Sequence, residues 1–398
     1  MNIIKILIAF SALCNFGVFY AATIEETNTF IIGYVEISGD VRYEEKRAYA
    51  RIRVKPHDRP IAGAELAILE SRIPGRALKM KFEMMRAESG NANEMAEQIG
   101  RMKNESGVQF FLVDADADVL RSVTNATAGM QVRLFNISEY SDSLRGADCQ
   151  LHLMHVIPSY AMLTDALTQF LVFKKWRNIL LLEGPEPDDR AFAAAFIRSA
   201  KRFGVEVSAV RQFVPGNNPR QREENNIILM TSDSDADAVF ISDIEGEFGR
   251  YVPYQTKNPT PVIGTEGLQA ASWHWAWERH GAPQLNQRFE RHGKRHMQGS
   301  DWAAWAAVKS IVESVLRTRS SDFKTIDTYL HSDRLNLDAY KGTPVSYRSW
   351  DNQLRQPVLL HTYNAIADRA PIRGFLHPTE NMDTLGYDQG DRLCQFRG

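Results

Sequence analysis

Strand-like and helix-like runs alternate along this chain, and that alternation limits what it can fold into. Residues 30–38 (FIIGYVEIS) are a β-rich run, 61–72 (IAGAELAILESR) carry apolar residues at helical spacing, and 78–84 (LKMKFEM) alternate like a strand. Helix-like 91–103, the apolar run 108–113 (VQFFLV), helix-like 119–127 and strand-like 132–137 (VRLFNI) continue the series. The pattern breaks near 155–159 (HVIPS) and restarts with a helix at 160–174 and a buried strand at 178–182 (NILLL). Asp188 opens a further helix as its N-cap and Gly204 stops it. Strands follow at 205–210, 227–231, 238–242 (AVFIS) and 261–264 (PVIG). Strands interleaved with long helices specify mainly parallel sheets flanked by helices. Two successive series imply an α/β protein of two lobes with a cleft between them. In such sheets ligands bind beyond the carboxyl ends of the strands.

The chain is long enough for this, with 398 residues of which 44% are hydrophobic, so each lobe can bury a core. A net charge of −2 argues against a general nucleic-acid binder. After the N-terminus no apolar run approaches the roughly 20 residues of a membrane helix, which excludes a multi-span membrane protein. Residues 1–22 (MNIIKILIAFSALCNFGVFYAA) have the layout of a secretory signal: Lys5, an apolar stretch, then Ala21 and Ala22. Cleavage there predicts a periplasmic chain. Cys14 raises a lipid-anchored alternative, but Leu13 is a poor residue before a lipidated cysteine. The mature chain keeps Cys149 and Cys394, which can pair in an oxidising compartment; two unrelated thiols are the alternative.

The usual catalytic and phosphate motifs are missing: no GxxxxGK[ST], no GxGxxG after a strand, no G-x-S-x-G, no HExxH and no CxxC. No paired nucleophile and base stands out, so no catalytic residue is assigned. His292 and His296 stand four apart, but the charged segment around them lacks ligand-spaced partners beyond Glu290. Asp114, Asp116 and Asp118 (VDADADV) resemble a calcium loop without its glycine or distal glutamate. A strand end followed by a helix cap accounts for them, and no metal site is assigned.

Tryptophan is the unusual feature. Trp273, Trp275 and Trp277 occupy every second position of ASWHWAWERH, Trp302 and Trp305 follow three apart in SDWAAWAAV, and Trp350 lies in YRSWD. On a helix Trp302 and Trp305 share a face. Core packing absorbs one or two indoles. So many in one region, interleaved with Arg279, Arg348 and Lys309, point instead to a slot for a flat aromatic ligand bearing negative charge. The expected ligand residues are Trp273, Trp275, Trp302, Trp305 and Trp350 for stacking and Arg279 and Arg348 for carboxylates. Arg42 and Arg190 are added from strand-end loops, and Trp277 is left to the core.

The whole pattern resembles the type I periplasmic solute-binding proteins of ABC importers, the branched-chain amino-acid group. RPIAGAELAILESR looks like their first-lobe helix, HVIPSYAMLTDALTQFLVFKKWRNILLL like their first crossover, and SDWAAWAAVKSIVES sits where they carry a Tyr-Asp-Ala helix. SWHWAWERHGAPQLNQRF, DWAAWAAVK, LRGADC and DTLGYDQGDRLC are similar to a subfamily encoded beside alcohol dehydrogenases dependent on pyrroloquinoline quinone (PQQ). That resemblance implies a monomeric, non-enzymatic binder that closes on PQQ, a planar tricarboxylate, and hands it to an ABC permease. It also implies a Cys149–Cys394 disulfide. The implied division is lobe 1 at 23–157 plus 266–345 and lobe 2 at 158–265 plus 346–398, with crossings near Pro158, Gly264 and Ser346. VDADADV departs from the small Ser/Thr-Gly loop that holds an amino acid's carboxylate, which makes an amino-acid cargo a poorer fit. Alternative cargoes are a rare-earth or other metal ion, using Asp114, Asp116 and Asp118, or a small organic acid. A redox accessory enzyme of the same system is a third reading.

Overall fold

Gly33, in the first strand, shows how closely the first sheet is packed: a Cβ there would overlap the ring of its neighbour Phe111. The computed structural model describes residues 28–44, 58–214 and 225–396. The signal-like segment 1–22 therefore lies outside the described residues. The first sheet is parallel throughout, ordered β2-β1-β3-β4-β5. Its strands are β1 (Asn28–Ile37), β2 (Met80–Ser89), β3 (Phe110–Asp114), β4 (Arg133–Asn136) and β5 (Leu153–His155). Along β1 the side chains alternate, so Phe30, Ile32 and Tyr34 enter one core while Val35 enters the other. Both faces are buried, as a parallel sheet requires. Helices α1 (Ile61–Glu70) and α2 (Arg72–Ala77) follow β1, and α3 (Ala92–Ser106) and α4 (Ala117–Ala126) cover the opposite face.

The second sheet, β7-β6-β8-β9, is also parallel. It consists of β6 (Asn178–Glu183), β7 (Glu206–Gln212), β8 (Ala238–Ser242) and β9 (Val262–Gly264). Helices α5 (Tyr160–Lys174), α6 (Pro187–Phe203), α7 (Ile227–Ser232) and α8 (Val252–Gln255) belong to this lobe. Residues Tyr160 to Leu171 of α5 are all buried, and its buried Asp165 is paired with Arg198 and Arg202. A three-stranded sheet packs on α5: β10 (Gln269–Ala271), β13 (Val358–His361) and β14 (Ile366–Ala370). Helices α9 (Ala282–Gly293), α10 (Gly299–Thr318) and α11 (Phe323–Leu330) return to the first lobe, and β11 (Ser346–Tyr347) pairs with β12 (Leu354–Arg355) before the chain leaves it again.

Two sequence expectations change here. Residues 227–231 are helix α7 rather than a strand: Asn226 caps it, and Ile227, Met230 and Thr231 are buried at helical spacing. A five-residue apolar run carries too little period to decide between the two. The N-cap of α6 is Glu186, two residues before the expected Asp188, and Asp189 completes its capping box.

Side-chain packing locates the crossings. The first lies between Ile157 in one core and Tyr160 in the other. Leu268 and Ala270 pack on the second lobe's core and Trp273 lies in the first's, so the second crossing follows β10 rather than Gly264. Leu354 and Val358 bracket the third, beyond Ser346. The first and third are stitched together. Gln353 donates to the carbonyls of His155 and Ile157 at 3.1 Å each, and Gln356 donates to that of Val156 at 2.5 Å.

Candidate ligand-binding site

Both parallel sheets point their carboxyl ends at a shared cavity of about 500 Å³, well inside the range of small-molecule sites. From the first lobe come Arg42 and Tyr43 after β1, Ser138, Glu139 and Tyr140 after β4, and Gln298, Gly299 and Ser300 at the start of α10. From the second come Tyr160 at the start of α5, Glu186 to Asp189 at the start of α6, and Ile244, Glu245 and Glu247 after β8.

The wall is built by local chemistry. Gly63 of α1 lies against the Asp301 backbone of α10, where any Cβ would overlap the carbonyl oxygen; this close approach seats the first turn of α10. Asp301 accepts from the Gln298 N–H at 2.9 Å and pairs with Arg295, which fixes that turn. Across the cleft, the Asp243 carboxylate accepts the N–H groups of Gly246, Phe248 and Gly249 at 2.6–3.0 Å and folds the 244–249 loop. Asp189 accepts the Ile244 N–H at 2.7 Å and joins that loop to α6. Burial pushes its carboxyl up to about 6, against the lowering effect of the Ile244 N–H.

The cleft's one described guanidinium is already matched. Arg42 pairs with Asp40 at 2.6 Å and Asp114 at 3.2 Å. Asp114 also accepts the hydroxyls of Tyr43 and Ser138, both at 2.7 Å. Glu44, Asp58, Glu139, Glu186, Asp188, Asp189, Glu245 and Glu247 make the described wall carboxylate-rich. Residues 45–57, outside the described set, separate Glu44 from Asp58 and by sequence carry Lys46, Arg47, Arg51, Arg53 and Lys55 against Glu45. Tyr140 and Tyr160 stack with centroids 5.6 Å apart and planes 16° from parallel.

Of the nine residues expected from sequence, Arg42 alone lines this cleft. The expected indole slot is corrected: Trp273, Trp302 and Trp305 are at most 2% exposed, inside the first lobe's core. Trp302 stacks on Trp273 at 6.3 Å, and Lys341 lies over its ring at 3.4 Å. Their N–H groups donate to Asn286, the Ala339 carbonyl and Glu70. Trp277, left to the core, is there as well. Trp275 stacks on His296 at 4.5 Å, and the Trp350 ring has the Arg348 and Arg355 guanidinium groups at 5.3 and 5.2 Å from its centroid. Arg348 is 1% exposed and donates to Asp383 and to the Met382 and Leu385 carbonyls, so it offers a ligand nothing. Arg279 and Arg190 are exposed and do not line the cavity.

The aspartates of VDADADV also have structural work: Asp114 is paired, Asp116 caps α4 through the Val119 N–H, and Asp118 pairs with Arg121. His292 bonds Glu65 and His296 bonds Glu290. Among the described residues no group of three or more His, Cys, Asp or Glu side chains is placed to hold a metal ion, and these three aspartates have the partners just given. Cys149 and Cys394 form a disulfide, so two unrelated thiols are excluded.

No family model and no curated protein matches this chain. Solved structures do. An ABC transporter substrate-binding protein from Sphaerobacter thermophilus is 13% identical, covers 90% of this chain and 100% of its own, and has a TM-score of 0.70. One from Desulfitobacterium hafniense, in complex with Leu, is 13% identical over 85% of this chain and 99% of its own, with a TM-score of 0.65. The fold is that of the periplasmic binding proteins of ABC transporters. A solute-binding protein from Rhodopseudomonas palustris BisB5, in complex with 3,4-dihydroxybenzoic acid, is 10% identical over 86% of this chain and 97% of its own, with a TM-score of 0.62. At these identities the likeness extends to the fold. No helix among the described residues is long and apolar enough to cross a membrane.

Proposed function

We propose that this chain is a periplasmic solute-binding protein that closes its two lobes on one small molecule and presents it to an ABC permease, with no catalysis of its own. The observation that carries this is the single cleft wall assembled from both lobes at the carboxyl ends of both sheets. Ligand contacts contributed by both sides favour the closed arrangement by their differential affinity. The N-terminal signal-like segment and the disulfide support an oxidising, extracytoplasmic compartment.

PQQ is the second reading of the cargo. It is supported by the resemblance and by the basic residues of 45–57, a segment whose flanks Glu44 and Asp58 both line the cleft. Recognition would then rest on groups other than Trp273, Trp302 and Trp305, which are committed to the core.

The test is native mass spectrometry of the protein purified from a periplasmic extract, paired with small-angle scattering before and after ligand removal. One retained small molecule, and a larger radius of gyration once it is stripped, are expected. A protein that retains nothing and keeps its radius of gyration across cargo panels would refute the reading.

A further inference from the structure

Resting on the solute-binding reading, we infer that the cleft is built for a small organic cation, its ammonium set against the Glu139 carboxylate with the Tyr140 and Tyr160 rings beside it. Glu139 accepts the Ser141 N–H at 2.8 Å and forms no ion pair among the described residues. Arg42 and Arg145, whose charges act on Glu139, are engaged elsewhere. Arg42 is held by Asp40 and Asp114, while Arg145 donates to Gln353 and to the carbonyls of Glu139, Ser141 and Ile157. Burial pushes the Glu139 carboxyl up from its ordinary value, so an incoming cation gains more from its ionised form than at an exposed acid.

Tyr160 lines the same cavity as Glu139. It is 7% exposed, and its hydroxyl makes no hydrogen bond among the described residues. The hydroxyl itself is not sealed off, so it is available to a ligand from the cavity side. Its phenol lies in the field of Asp188 and Glu139, which, after burial, hold its proton on. The hydroxyl is therefore a neutral dipole that turns its oxygen toward positive charge. Stacked tyrosine rings beside a carboxylate are the chemistry that recognises ammonium groups by charge and by the ring face together. A free carboxylate ligand would meet Glu139 at close range and lose that affinity.

Calorimetric titration of the mature protein, stripped of ligand, with benzylamine, putrescine, benzoate and PQQ decides this. Binding of benzylamine or putrescine is expected, at least tenfold weaker in Glu139→Gln and severalfold weaker in Tyr160→Phe, with both variants melting as the parent does. Binding of benzoate or PQQ with neither amine bound overturns the charge assignment and leaves the solute-binding reading standing. Equal amine affinity in parent and both variants overturns the role of these residues. Silence from all four probes overturns the inference, and the native mass spectrum then decides whether the solute-binding reading falls with it.

Discussion

Trp302 shows how a conspicuous residue can be structural. Its ring packs against Trp273 and Lys341, and its N–H is used by the Ala339 carbonyl. Trp302→Ala should cost about 3–5 kcal/mol of stability by chemical denaturation, the usual range for a buried aromatic truncated in a core. Ligand retention by the folded fraction should persist; a variant with parental stability and no ligand would return Trp302 to a binding role. The tryptophan count misled because composition does not say which face of α10 points inward. The residues at the cleft were legible by position instead. Ser138 to Tyr140, Glu186 to Asp189 and Ile244 to Glu247 all follow strands recognised in the sequence, where ligands of such sheets bind. Their side chains are ordinary Glu, Asp and Tyr, with no motif to set them apart.

At the scale of elements, the second crossing carries a ladder of rings. His361 of β13 stacks on His274 at 4.1 Å, and His274 lies 5.5 Å from Trp275, which stacks on His296. Burial, then the nearby His361 and His296, hold the His274 imidazolium down to about 3. Glu290 faces His296 at 2.7 Å. Between the ordinary histidine value near 6.5 and 3, the unfolded chain binds a proton at His274 that the native chain refuses. Stability is therefore complete above about 6.5 and falls as pH drops through that window. Urea midpoints measured from pH 7 to pH 4 should decline less steeply in His274→Phe, which keeps the stack and removes the titration. Parallel profiles in both proteins would contradict this. The parallel sheets and most helices were readable because their apolar periods run long; α7 and the ladder were not, since one is too short and the other is made by residues far apart in sequence.

The whole molecule has more than three chain crossings between its lobes. The segment near Gly386 is held to the second lobe by Asp165, Arg198 and Arg202, while Cys394 bonds Cys149 in the first lobe across 245 residues of sequence. The tail thus ties the two lobes together covalently. Where the cargo sits is tested most directly by filling the cleft. Ser300 lines it at the first turn of α10, away from the buried core. Native mass spectra of ligand-loaded parent, Ser300→Trp and Trp302→Phe should show the retained small molecule lost from Ser300→Trp and kept by Trp302→Phe. Retention by Ser300→Trp together with loss from Trp302→Phe would place the ligand among the indoles and contradict the cleft as the binding site.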